Sequence, residues 1–353
     1  MVKSISFVIP GVNLRPCGGV KIIFEFANRL AELGYTVNLV HMGDFTLRDR
    51  SFPSYLKRSL IRLAFLRNVK WFYLNPKINR FLVFGSDESV LPEADCVFAT
   101  AAVTAAFVQS LPPSKGVKYY LIQDFENWDL SDDALVETYR FGMHNIAISH
   151  WLKQVVLDAC GQCDCIINSI DLRSFFVDQK YGRNRNEIAV MYHEKPHKGF
   201  RYAWQAIDRL HCMRPDLRVN MFGAYSAPEW LPDWVNYTFC ANDAELRAIY
   251  NASWIYICAS ICEGFALTCV EAMACGCALV VTDFAGSREY AVNEVNSLVV
   301  PTENVDAIVQ AALRLLDDDG LHDRLTSHAV SDASRRDWDS SVNQLIDIIG
   351  RSS

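Results

Sequence analysis

Two carboxylates eight residues apart, Glu263 and Glu271, are the groups in this sequence best suited to hold a polyhydroxylated ligand. A carboxylate accepts two hydroxyl hydrogen bonds and donates none, which matches the vicinal diols of sugars and of ribose. The residues between them read as a loop entering a helix: Glu263-Gly264-Phe265-Ala266, then a helix from Leu267 or Thr268 with Val270, Met273 and Ala274 on an apolar face, ended by Gly276. One Glu precedes that helix and the other lies about a turn inside it, so both can face a ligand lying across its start. The backbone N–H groups from Gly264 to Leu267 join the unpaired donors of the first turn, an arrangement that suits an anion. A bare pair at this spacing also fits a solvent-facing helix; the flanking residues have to decide.

Stepping outward, Trp254 to Cys258 and Ala278 to Val281 are short apolar runs suited to strands buried on both faces. With Glu-x7-Glu, Ala272-Met273-Ala274-Cys275-Gly276 and Val280-Val281-Thr282-Asp283 in register, the stretch resembles the donor site of the retaining family 4 glycosyltransferases, which have the GT-B fold. The resemblance implies that Glu263 touches the donor hexose, that the amides of Gly264, Phe265, Ala266 and Leu267 hold the diphosphate, and that Glu271 holds the ribose. His197-Lys198-Gly199 is similar to the family's Lys-Gly, whose lysine neutralises the diphosphate, but Tyr192 stands where the family usually has an arginine. A diphosphate carries about two charges and a helix N-terminus offers only about half of one, so the departure matters. Lys195, His193 or Arg201 could compensate, or donor affinity could be poor. No enzymatic nucleophile and no metal-binding Asp-x-Asp are implied; the nucleotide-diphosphate sugar is a substrate, not a cofactor, and no metal is expected.

The chain of 353 residues is too long for one ordinary core and fits two domains. Half of it is hydrophobic, so both can bury an interior, and the net charge of −7 argues against general nucleic-acid binding. No apolar run reaches the roughly 18 to 20 residues of a membrane span, and Met1 to Pro10 is too short and strand-like for a signal peptide, so a cytoplasmic location is expected. Most of the 12 cysteines lie in apolar runs and read as reduced core residues. Cys160-Gly-Gln-Cys163-Asp-Cys165 has a metal or redox spacing but lacks the second cluster that a zinc site needs.

Strands of near-continuous hydrophobics alternate with helices from Ile5 onward, which implies parallel sheets with both faces covered. The expected architecture is α/β, two Rossmann-like domains facing across a cleft: residues 1–177, then a charged bridge and a second domain over 178–335, with a final helix in 336–353 crossing back to the first. Gly18 and Gly19 open the first helix, where the family has a glycine-rich loop near the donor phosphates or the acceptor. They do not form a dinucleotide fingerprint, because no Gly-x-Gly-x-x-Gly is present. Gln123-Asp124-Phe125-Glu126 and Asn168-Ser169-Ile170-Asp171 stand at strand ends, where ligands of such sheets sit. The first is similar to a subset of rhamnosyltransferases of bacterial surface polysaccharide assembly, with Gln123-Asp124 in place of a His-Asp pair; this carries a catalytic role to Asp124. Helix capping is the other reading of these carboxylates. Asp317-Asp318-Asp319-Gly320 reads as a solvated turn after a helix from Asn304 to Leu316.

Phe52 to Arg80 departs from the rest: seven cations, Lys57, Arg58, Arg62, Arg67, Lys70, Lys77 and Arg80, without an acidic residue and interleaved with aromatics. Such a segment suits an anionic bilayer surface or the phosphates of a lipid-linked acceptor, or else is a basic face whose aromatics pack inward. The functional expectation is a retaining glycosyltransferase that moves a sugar, rhamnose among the candidates, from a nucleotide diphosphate to a glycan or lipid-linked glycan in bacterial polysaccharide synthesis. Two alternatives stay open: another nucleotide-sugar enzyme such as an epimerase, and a weak or silent nucleotide-sugar-binding partner subunit.

Overall fold

The structure is a computed structural model that describes residues 2–46, 53–67 and 69–351. It divides into two compact units, Met1–Ile167 with Asp339–Ser353, and Asn168–Trp338.

The first unit is built on strands β1 (Ser4–Pro10), β2 (Thr36–Met42), β3 (Asn79–Val83), β4 (Cys96–Ala99), β5 (Val117–Ile122), β6 (His144–Ala147) and β7 (Asp164–Cys165), paired in the order β3-β2-β1-β4-β5-β6-β7. All pairings are parallel. Central strands bury both faces, as their uninterrupted apolar sequences require: Phe7 of β1 stands opposite Leu39 of β2 and Phe98 of β4, all three fully buried. The edge strand β3 was not legible in advance, because Asn79-Arg80-Phe81-Leu82-Val83 is mostly half-buried and lacks a continuous apolar run.

The second unit carries β8 (Asn184–Tyr192), β9 (Arg218–Gly223), β10 (Val235–Phe239), β11 (Ser253–Cys258), β12 (Ala278–Thr282) and β13 (Leu298–Val300), in the parallel order β10-β9-β8-β11-β12-β13. Its core joins Ile188, Val190, Ile255, Ile257 and Val280 of the sheet to Ile207 and Leu315 of the covering helices. In both units the chain winds outward from a first strand, then returns to that strand's other side: β1 lies between β2 and β4, and β8 between β9 and β11. The loops leaving the two strands at such a reversal diverge, which opens a crevice at their carboxyl ends.

The division falls earlier than residue 177. Residues 168–177 follow the second unit because their backbone is bonded to it: Ile170 donates to the Arg336 carbonyl, the Ser174 and Phe176 carbonyls accept from Arg247 and Asn251, and Phe175 is buried against Tyr250. The last helix, Trp338–Arg351, runs into the first unit, where Ser341 bonds the Ile167 carbonyl and Arg351 reaches Asp164. The aspartates at 317–319 are exposed, but they stand at the junction of two helices instead of in a turn. Asp318 accepts from the backbone N–H of Leu321 and caps a further helix, Asp319–Ala333, whose N-terminal dipole favours these carboxylates.

Candidate functional site

The strand ends at the β8/β11 reversal bring Lys198 and Glu263 together. After β8, Pro196–Lys198 forms a single 3-10 turn; after β11, Ala259 to Ala266 forms the loop entering the helix Leu267–Ala274. The turns are sewn together by backbone: Ile261 donates to the His197 carbonyl at 2.8 Å. Gly199 permits this. It has φ +62, and a Cβ there would lie 1.8 Å from the Ala259 carbonyl oxygen. Gly286 does the same behind the loop, where a Cβ would come within 2.5 Å of the Glu263 carbonyl oxygen.

Glu263 is a buried carboxylate held on both oxygens. Lys198 Nζ lies 2.8 Å from Oε2, and the Ser260 hydroxyl donates to Oε1. Ser260 is itself fixed, because the Thr282 hydroxyl at the end of β12 donates to its carbonyl. Glu271 lies in the helix, 3% exposed, where its charge adds to burial in pushing the Tyr250 hydroxyl well above its ordinary pKa. A solvent-facing pair is thus overturned: with Glu263 at 6% exposure, both carboxylates are buried, which a charge accepts only with partners. Their surroundings differ, Glu263 standing beside a lysine and a serine hydroxyl and Glu271 beside a phenol.

Between them, Ala266 at the helix entrance has φ +66, a left-handed conformation that costs a residue with a Cβ about 1 to 2 kcal/mol. Phe265 anchors the loop, its ring buried 5.2 Å from that of Tyr290 and under the Arg336 guanidinium. Lys198 and Glu263 thus stand together at the loop that leads into the helix carrying Glu271.

Of Lys195, His193 and Arg201, which could compensate for the missing arginine at 192, Arg201 is elsewhere, exposed and bonded to Glu303. His193 and His197 are in the cluster. Burial first, then the charges of Lys198 and Lys195, lower both imidazoles, His193 to about 4. Tyr192 packs edge-on against Phe200 at 4.8 Å and near Tyr225 and Tyr237, so its ring is held in an aromatic cluster. Ser260 and the hydroxyl of Thr282, small single residues, carry no role in the sequence motifs. Their signal was position at carboxyl ends of neighbouring parallel strands.

In the first unit the β5 end brings Gln123 beside Gly19, where an added Cβ would lie 3.3 Å from the Gln123 amide oxygen. Gln123 donates to the Thr100 carbonyl, and its own buried carbonyl oxygen has no partner among the described residues. Asp124 accepts from the Phe125 backbone, while Glu126 accepts from the Ala102 backbone and so caps the helix Ala102–Ser110. Asp171 caps its own turn through Ser174 and Arg173. Cys160 and Cys163 donate to backbone carbonyls, and no group of three His, Cys, Asp or Glu side chains is placed to hold a metal among the described residues.

In the basic segment, Phe52 lies outside the described residues. Trp71 and Phe72 pack on Phe24, and Phe65 on His41. The helix Ser54–Leu66 nonetheless exposes Tyr55, Leu63 and Leu66 beside Lys57, Arg58 and Arg62. No described helix is long and apolar enough to cross a membrane.

Residues 175–331, nearly all of the second unit, match the family described as glycosyl transferases group 1. Among curated proteins, the chain is similar to a poly(glycerol-phosphate) alpha-glucosyltransferase of Bacillus subtilis (24% identity, 38% of this chain, 22% of that one). It is likewise similar to a phosphatidyl-myo-inositol mannosyltransferase of Mycolicibacterium smegmatis (24% identity, 55% of this chain, 53% of that one). The chain thus spans about half or less of these relatives' length. Among solved structures, Anabaena HepE in complex with UDP and glucose matches with a TM-score of 0.75 at 16% identity over 100% of both chains. Staphylococcus aureus TarM in complex with UDP and an alpha-GlcNAc-glycerol matches with the same score at 9% identity. The fold is the GT-B architecture of two Rossmann-like parallel-sheet domains, and the group 1 glycosyl transferase match lies within the second of them.

Proposed function

We propose that this chain is a retaining glycosyltransferase that moves a sugar from a nucleoside-diphosphate donor to a hydroxyl of a glycan or lipid-linked glycan in surface polysaccharide synthesis. The buried Glu263, tied to Lys198 and Ser260 at a helix entrance, carries this reading. The carboxylate accepts from the donor sugar's hydroxyls, Glu271 takes the ribose, and Lys198 with the amides of Gly264 to Leu267 meets the diphosphate. Charge grows on that diphosphate as the glycosidic bond breaks, so these donors bind the transition state more strongly than the ground state. The leaving phosphate then helps to take the acceptor's proton on the same face, which retains the anomeric configuration. Gly18 and Gly19 meet the donor phosphates or the acceptor, and Asp124 serves the chemistry. Rhamnose is the first sugar to test, on the strength of Gln123-Asp124-Phe125-Glu126.

A thermal-shift panel of UDP, GDP, dTDP and ADP sugars tests the donor, followed by transfer assays that read the product's anomeric configuration. Stabilisation by one nucleotide class, lost in Glu271→Ala, is expected, with Glu263→Gln mainly lowering turnover. No stabilisation by any of them sinks the reading, and epimerisation without acceptor replaces it with another nucleotide-sugar enzyme.

A peripheral membrane contact is supported by the exposed Tyr55, Leu63 and Leu66 among cations, each worth about 1 kcal/mol near an anionic surface. Sedimentation with anionic but not neutral vesicles, lost in high salt and in the Lys57, Arg58, Arg62 triple alanine variant, is expected. Equal recovery in both supernatants at low salt rules it out.

A further inference from the structure

His193 follows directly on β8, at the reversal that also carries Lys198 and Glu263. Its ring is fixed on two sides. The backbone N–H of Lys195 donates to Nδ1 at 3.0 Å, and the ring meets Tyr225 edge-on with centroids 5.0 Å apart. A ring nitrogen that accepts an N–H carries no proton, so the proton of the neutral imidazole sits on Nε2. That nitrogen has no hydrogen-bond partner among the described residues. The charged and titratable groups bearing on the ring are Lys198, Lys195, Glu263 and His197, three of them cationic or able to become so. Glu194, next in the chain, is turned to Tyr192.

We propose that His193 binds the donor diphosphate as a neutral imidazole, donating its Nε2–H to a phosphate oxygen, with the tautomer set by the backbone of Lys195. The inference rests on reading this site as a nucleoside-diphosphate-sugar site. With Tyr192 committed to Phe200, Tyr225 and Tyr237, the strand end offers no guanidinium, and the next residue supplies a directed donor instead. A second proton would have to enter at Nδ1, where it would displace the Lys195 N–H and stand beside Lys198. A neutral donor avoids both costs while the site is empty and still strengthens against an anionic oxygen. Lys198 supplies the charge and His193 the direction.

Two substitutions separate the ring's two jobs. His193→Asn keeps an acceptor for Lys195 near the Nδ1 place but has no donor at the Nε2 place; His193→Gln puts an amide N–H near the Nε2 place. Titration calorimetry with UDP-glucose and with uridine, repeated with GDP-mannose and guanosine, measures how much the diphosphate sugar adds to nucleoside affinity. These diphosphates are diesterified and do not titrate near neutrality. The increment should fall about tenfold or more in His193→Asn, with nucleoside affinity unchanged, and be largely kept in His193→Gln. In the wild type it should be flat from about pH 5.5 to 8, because His193 titrates near 4. An undiminished increment in His193→Asn overturns the proposal. So does a wild-type increment that grows as pH falls through about 6.5, the mark of a cationic imidazole. If the folded wild type binds none of these ligands, the donor-site reading fails first and the inference with it.

Discussion

The two units share a winding pattern and differ in what they do with it. At the β8/β11 reversal a buried carboxylate, a lysine, two imidazoles and a hydroxyl relay converge, and the turns are locked by a glycine that nothing else can replace. At the corresponding reversal of the first unit, the polar groups are largely spent on the fold: Glu126 caps a helix and Gln123 bonds the Thr100 carbonyl. The family match falls on the second unit alone. Strand order supplies a place for a ligand, and only fixed, partly uncommitted donors and acceptors turn that place into a site.

The glycines give the sharpest test. In the second unit, Gly199→Ala drives a Cβ into the Ala259 carbonyl at a positive φ, so about 3 to 5 kcal/mol of stability should go, with nucleotide-sugar binding. Gly19→Ala in the first unit meets only the movable end of Gln123, 3.3 Å away, and should cost less than about 1 kcal/mol. Urea unfolding of both variants checks this, and equal losses would erase the contrast.

Acid should strike both units through neutral histidines of lowered pKa. His41 in the first unit is fully buried and lowered to about 4, mainly by burial and then by Arg80, and His193 in the second is lowered to about 4 as well. A folded pKa below the unfolded value of about 6.5 means stability that is complete above that pH and lost as pH falls toward 4, about 3 kcal/mol for His41. Calorimetric melting from pH 7 to 4 should show this acid limb, and His41→Gln should flatten it. An unchanged limb would show that His41 does not titrate there.

Lys198→Ala leaves Glu263 buried without its cation and should lower kcat/KM for the donor about a hundredfold, raising KM and lowering kcat together. An effect on KM alone would make the lysine a ground-state anchor only. The smallest change belongs to the first unit: Glu126→Ala removes a cap and should cost about 1 kcal/mol in thermal unfolding without altering donor affinity. A hundredfold loss of turnover there would return Glu126 to the chemistry.

Local pattern determined much of this molecule before any coordinates. Apolar runs placed the central strands, the helix from Leu267 to Gly276 was bounded by its periodicity and its glycine, and Glu263, Lys198 and the loop amides were legible because each motif is contiguous. Weak local signals hide two elements: β3 is a half-buried edge, and Asp317 to Asp319 belongs to a junction with a second helix, Asp319–Ala333. Only the tertiary structure decided that Lys198 meets Glu263 across 64 intervening positions, that Thr282 holds Ser260, and that residues 168–177 fold with the second unit. These facts depend on the order in which parallel strands pair. That order is fixed by summed burial over the whole core, of which each short stretch of sequence carries only a part.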